Sequence, residues 1–209
     1  MPITLKEAMS QMPLVAILRG VTPAEVLDVA DVLVTAGYRV IEVPLNSPSP
    51  YESIKLLSYK YGNDVIIGAG TVVTKEQVDL VEAAGGRIII SPHADAELIR
   101  YSKAKDLYCV PGFFTPSDAY AAINAGADSL KLFPADAFGP KGLKAMSVVL
   151  PDIDILPVGG VSPDTMQAFL DSGAKGFGLG SGLFKAGMTI SQVQQNANAY
   201  VDGYRATLT

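Results

Sequence analysis

Ala125-Gly126-Ala127-Asp128-Ser129-Leu130-Lys131-Leu132-Phe133-Pro134 contains a helix stop followed at once by a strand. Ala125-Gly126 ends a helix, because glycine adopts the left-handed backbone of a C-terminal cap without steric penalty. Residues 129–134 then read as a short strand. Leu130 and Leu132 fall on one face, and Ser129, Lys131 and Phe133 on the other. A lysine at the centre of an apolar strand has two readings. It faces solvent from an edge strand, the ordinary place for this residue, or it points into a core. In a core its charged form is disfavoured, its pKa falls, and the amine becomes a nucleophile for carbonyl carbon.

The fold decides between these readings, and the same helix-to-strand junction recurs at Ala36-Gly37, Ala84-Gly85 and Ser172-Gly173. Working outward, apolar strands are predicted at 14–20, 40–45, 65–70, 87–92 and 108–112 before the lysine strand, and at 154–160 and 176–180 after it. Helices are predicted between and after them at 22–35, 51–61, 75–84, 94–103, 115–126, 140–149, 162–173 and 191–207. They are bounded by Thr or Ser caps, first-turn prolines and terminal glycines. Thr4 and Glu7 form a capping-box pattern for a short leading helix to about residue 11.

Strand-then-helix alternation implies parallel strands, and near-continuous apolar strands imply burial on both faces. A doubly wound open sheet satisfies those conditions too, but eight units favour closure into a (β/α)₈ TIM barrel. No linker or low-complexity segment interrupts residues 1–209, which read as a single barrel domain.

Bulk properties agree. The chain has 209 residues, 49% hydrophobic and 18% charged, enough for one large core. Its net charge of -5, without blocks of like sign, gives no nucleic-acid or membrane-surface footprint. The only cysteine, Cys109, reads as a buried structural thiol, and a single histidine, His93, rules out a multi-histidine zinc site. No metal or cofactor is expected. The start lacks a signal-peptide pattern and no apolar run is long enough to span a bilayer, so a cytoplasmic protein is expected.

In a closed barrel one face of each strand points to the centre. Leu130 and Leu132 go to the helices, so Ser129, Lys131 and Phe133 go inward. The same alternation puts Ile41 and Val43 outward and Glu42 inward. Val15, Ile17 and Arg19 share a face, bringing Arg19 inside or to the rim; Ile67, Ala69 and Thr71 share another. One lysine, one glutamate and one arginine thus gather toward the C-terminal strand ends, where barrel active sites lie.

A purely structural Glu42–Lys131 ion pair is the plain alternative, though buried pairs seldom improve on apolar packing. As chemistry, the set is coherent. Lys131 attacks a ketone to give a carbinolamine and then a protonated Schiff base. Glu42 shuttles protons, and Arg19 holds a carboxylate or hydroxyl of the substrate. That points to metal-free carbon–carbon cleavage.

Val158-Gly159-Gly160 and Gly178-Leu179-Gly180-Ser181 follow strands seven and eight, where barrels bind phosphate on backbone N–H groups. Pro92 and Pro111-Gly112 shape the pocket wall, with His93 at the rim. A phosphosugar isomerase or epimerase would use the glycine loops without needing Lys131. A non-catalytic sugar-phosphate-binding barrel would need neither Lys131 nor Glu42.

The full set of strand ends resembles the class I aldolases that cleave 2-keto-3-deoxy-6-phosphosugar acids. The matching pieces are Ile41-Glu42-Val43, Gly68-Ala69-Gly70-Thr71, Ser91-Pro92, Pro111-Gly112, Lys131-Leu132-Phe133-Pro134-Ala135, Gly159-Gly160 and Gly180-Ser181. The resemblance implies Lys131 as the Schiff-base lysine and Glu42 as acid/base, with Thr71, Pro92 and Phe133 around the pyruvyl part. It implies phosphate held by Gly159, Gly160, Gly180 and Ser181, and a homotrimer.

The gluconate-type enzymes carry Leu-Arg-Thr where this chain has Leu45-Asn46-Ser47, and threonine where it has Val158. With Arg19 supplied from the first strand, the chain looks like the phosphogalactonate branch, which makes pyruvate and glyceraldehyde 3-phosphate. The gluconate branch is the alternative.

Overall fold

The computed structural model describes residues 2–208. Helix α1 (Leu5–Gln11) precedes strand β1 (Leu14–Ile17). Strand and helix then alternate through α2 (Val26–Ala36), β2 (Val40–Pro44), α3 (Pro50–Tyr61), β3 (Ile66–Gly70), α4 (Lys75–Ala83) and β4 (Ile88–Ser91). The second half runs α5 (Ala96–Lys103), β5 (Tyr108–Phe113), α6 (Pro116–Asn124), β6 (Leu130–Leu132), α7 (Ala135–Ser147), β7 (Ile155–Pro157), α8 (Met166–Leu170), β8 (Phe177–Leu179) and α9 (Ile190–Ala206). Among the described residues no helix is long and apolar enough to cross a membrane.

The helices start where the sequence caps them. Thr4 accepts from the Glu7 N–H while the Glu7 carboxylate accepts from the Thr4 N–H. The same reciprocal pair recurs at Thr74/Gln77, Thr115/Asp118 and Thr189/Gln192. Losing such a cap costs about 1 kcal/mol.

Several predicted bounds differ, and three helix starts have a local cause. Helix α2 starts at Val26 instead of residue 22, because Glu25 turns back to accept from the Thr22 N–H and hydroxyl and makes 22–25 a separate turn. Helix α7 starts early, at Ala135, and is broken at Gly139, whose φ of 70° precedes a proline with no N–H to donate. The segment after β7 opens as a 3₁₀ turn, Pro163–Thr165, before α8.

All strand pairs are parallel, in the order β7-β6-β5-β4-β3-β2-β1-β8. A bridge between Val158 and Gly178 joins the two ends, closing the (β/α)₈ barrel. Gly178 permits that closure, since a Cβ there would lie 2.6 Å from Val158 Cγ2.

Alternation divides the core into two. Ile41, Val43, Leu130, Leu132, Phe177 and Leu179 pack outward with the helices. Val15, Val40, Ile66, Ile88, Val110 and Leu156 fill the centre, joined by Leu5 and Ala8, so α1 plugs the N-terminal end. The other end is where the interior turns polar.

Candidate active site

Lys131 is the middle residue of β6 and only 7% exposed. Its neighbours in register are Gly112 and Leu156, so one flank carries no side chain. A Cβ on Gly112 would lie 2.4 Å from the Pro92 carbonyl oxygen. The ends of β4 and β5 therefore pack tightly, and Pro92 stands exposed at the end of β4, across β5 from the lysine strand.

Glu42, on β2, is 1% exposed, and its Oε2 is buried with no hydrogen-bond partner. Gly70 makes its room: a Cβ there would lie 1.8 Å from Oε2. Lys131 and Glu42 face one narrow chamber otherwise walled by Val15, Ile17, Ile90, Val110, Leu156 and Val158. They make no salt bridge within 4.0 Å.

The two charges shape each other. Burial pushes Glu42 up to about 7, against the pull of Lys131 and then Arg19. Burial holds Lys131 below its ordinary range; Glu42 opposes that and Arg19 adds to it. Burial thus makes the Lys131 amine easier to deprotonate than an exposed lysine, beside a carboxyl that near neutrality is able both to give and to take a proton.

The mouth is polar. Arg19 is exposed and donates from Nη1 to Asn46 Oδ1, with Nη2 3.5 Å from Thr71 Oγ1. The Gly20 N–H donates to buried Ser47 Oγ at 2.9 Å, fastening the end of β1 to the turn after β2. Strict alternation carries Thr71 outward with Ile67 and Ala69, both of which pack on the helices. Its φ of 60° breaks that alternation and turns the hydroxyl toward Arg19.

Phe133 leaves the strand pattern as well. It is 42% exposed at the mouth, its ring centroid 5.0 Å from Lys131 Nζ. The Cδ2–Cε2 edge of that ring lies 3.6 Å from where a Cβ on Gly159 would stand. The ring is therefore close to both the lysine and the glycine loop after β7. Gly159 and Gly160, with φ of 98° and 70°, hold backbone that other residues rarely adopt. Across the closure, Gly180 faces open space and Ser181 is exposed.

The remaining candidates fall outside the chamber. His93 is exposed at the rim after β4, its carbonyl accepting from Ser91 Oγ. Cys109 is buried on the helix side, its thiol pushed up to about 12 by burial. It stays a protonated, unreactive core group.

Sequence reasoning did not find the space-making roles of Gly70, Gly112 and Gly178, or the tie through Ser47. Glycines on facing strands opposite bulky or charged residues were the available signal; for Ser47 there was none.

A family model described as "Aldolase: KDPG and KHG aldolase" matches residues 5–199. The chain is 42% identical over 197 residues to the 2-dehydro-3-deoxy-6-phosphogalactonate aldolase of Escherichia coli K12, covering 94% of this chain and 96% of that one. A solved structure described as native KDPGal superposes with a TM-score of 0.94 at 41% identity, covering 100% and 99% of the two chains. A KDPG aldolase from Legionella pneumophila, solved with pyruvate captured at low pH as a covalent carbinolamine, gives a TM-score of 0.80 at 28% identity over 96% of each chain. With the match running from the first helix into the last, the chain belongs to the KDPG and KHG aldolase family.

Proposed function

We propose that the chain is a Schiff-base aldolase that splits 2-dehydro-3-deoxy-6-phosphogalactonate into pyruvate and D-glyceraldehyde 3-phosphate. The observation that carries the reading is the pairing of a buried Lys131 with an unpartnered Glu42 oxygen in an apolar chamber. The covalent pyruvate adduct of the Legionella pneumophila relative supports the same chemistry.

The neutral Lys131 amine attacks C2 of the keto acid and gives a carbinolamine, which loses water to become a protonated Schiff base. Glu42 supplies and removes the protons of that dehydration. It then takes the C4 hydroxyl proton as the C3–C4 bond breaks, and the bonding electrons flow to the iminium nitrogen. Glyceraldehyde 3-phosphate departs, the enamine is protonated at C3, and hydrolysis releases pyruvate and the free lysine.

Arg19 binds the hydroxyl or carboxylate end of the substrate, and Thr71, Pro92 and Phe133 surround the pyruvyl part. Gly159, Gly160, Gly180 and Ser181 hold the phosphate. Asn46 and Val158 favour the galactonate epimer, in line with 42% identity to the galactonate enzyme against 28% to the gluconate one. The enzyme acts as a homotrimer, and a substrate that carries a carboxylate as well as a phosphate, and so does not diffuse through a bilayer, supports a cytoplasmic site of action.

Pyruvate with borohydride is expected to add a reduced pyruvyl mass at Lys131, and Lys131→Ala to lose both that adduct and cleavage. An unmodified Lys131 overturns the mechanism. A higher kcat/KM on the gluconate epimer overturns the substrate.

A further inference from the structure

Helix α9 lies on the outer ring, far from Lys131 in sequence, yet one stripe of it touches both glycine loops. Asn196, Tyr200 and Gly203 are spaced four and three residues apart and so share a face. Asn196 Nδ2 donates to the Leu183 carbonyl at 3.1 Å, in the loop after β8. Buried Tyr200 donates its hydroxyl to the Val161 carbonyl at 2.9 Å, in the loop after β7. Gly203 lies against the 3₁₀ turn that continues this loop; a Cβ there would stand 2.8 Å from Pro163 Cβ.

Tyr200 belongs to both loops. A Cβ on Gly182 would lie 2.1 Å from the same hydroxyl, so the backbone after Ser181 rests directly on it. Gly182 does not have positive φ, so this close approach is what its lack of a side chain serves. Val161 directly follows Gly159-Gly160, and Gly182 directly follows Gly180-Ser181. One buried hydroxyl therefore spaces the two halves of the glycine cradle across the barrel closure.

We propose that Tyr200 is a positioning residue for the phosphate end of the substrate, setting the separation of the two glycine loops from behind. This rests on the assignment of those loops to phosphate made above. Removing the hydroxyl leaves the Val161 carbonyl unpaired and a gap under Gly182, while the Lys131–Glu42 chamber is untouched. Phosphate affinity and pyruvate chemistry then separate.

The test is aldol condensation of pyruvate with D-glyceraldehyde 3-phosphate and with unphosphorylated D-glyceraldehyde, in the full-length wild type, Tyr200→Phe and Gly182→Ala. Borohydride trapping of pyruvate on Lys131 serves as the control for an intact chamber. Both variants are expected to trap pyruvate at the wild-type rate and use glyceraldehyde as before. Each is expected to raise KM for glyceraldehyde 3-phosphate roughly fivefold to tenfold, as loss of one buried hydrogen bond allows. An unchanged preference for the phosphorylated aldehyde in Tyr200→Phe overturns the proposal. So does an equal loss on both aldehydes or loss of trapping, because either marks a general structural role. If the wild type itself shows no preference for the phosphorylated aldehyde, the phosphate assignment fails, and this proposal with it.

Discussion

Glu42 lies flat against Gly70: a side-chain carbon at position 70 would stand 1.8 Å from Oε2 and 2.4 Å from Cδ. Gly70 is paired with Pro44 on one side and Ile90 on the other, so its backbone cannot retreat. In Gly70→Ala the carboxylate has to swing away from its place in the chamber. The expected result is a loss of tenfold or more in deuterium exchange at the pyruvate methyl, followed by NMR. Lys131 still traps pyruvate at saturating concentration. Wild-type exchange rates in this variant would mean that Glu42 is not the base.

Glu42 also sets a pH dependence. As a base it acts ionised, so methyl exchange should rise through about pH 7, the value to which burial lifts it. Glu42→Gln should lose this limb.

Stability changes in the opposite sense. The folded chain keeps a proton that the unfolded chain gives up between 4.5 and about 7. Stability therefore falls as pH rises through that window. A displacement of this size corresponds to about 3 kcal/mol. Glu42→Gln should lack the slope, so its Tm should gain on the wild type from pH 5 to pH 8. A Tm difference independent of pH would show that Glu42 carries no such shift.

Val158 bears on the choice of epimer. It lines the chamber and presses a methyl on Gly178 at the barrel closure. Threonine is nearly the same size and adds only a hydroxyl there. Val158→Thr should move the ratio of kcat/KM toward the gluconate epimer by about tenfold, the worth of one hydrogen bond to a substrate hydroxyl. An unmoved ratio would remove Val158 as a determinant.

The inward placement of Glu42 and Lys131 is legible in the sequence because a closed parallel sheet leaves each strand residue only two directions. Once eight strand–helix units are counted, the outward leucines at 130 and 132 fix the lysine between them. Thr71 escapes this logic: alternation aims it at the helices, and only the left-handed turn at the strand end brings it to Arg19. Phe133 escapes in part, reading as interior but opening to the mouth where β6 ends. Tyr200 is invisible to strand reasoning, since it reaches the glycine loops from a helix through the fold's closure. Local rules give the direction of a side chain within an element. They do not give contacts made where one element ends against another.

Arg19 is the final case, because its charge and its shape can be separated. Its partners, Asn46 and Thr71, offer neutral oxygens, and it makes no salt bridge among the described residues. An uncompensated guanidinium at the mouth does two things. It offers a rigid fork to an anionic or hydroxylated substrate, and its charge pulls both Glu42 and Lys131 downward. Arg19→Lys keeps the charge and loses the fork, so KM for the keto acid should rise while the pH limb of methyl exchange stays put. Arg19→Gln loses both, so KM should rise further and the limb should move to higher pH as Glu42 is released upward. Binding of inorganic phosphate, at the other end of the site, should be the same in all three proteins. If Gln and Lys gave the same pH limb, Arg19 would act by contact alone, and the electrostatic half of its role would be wrong.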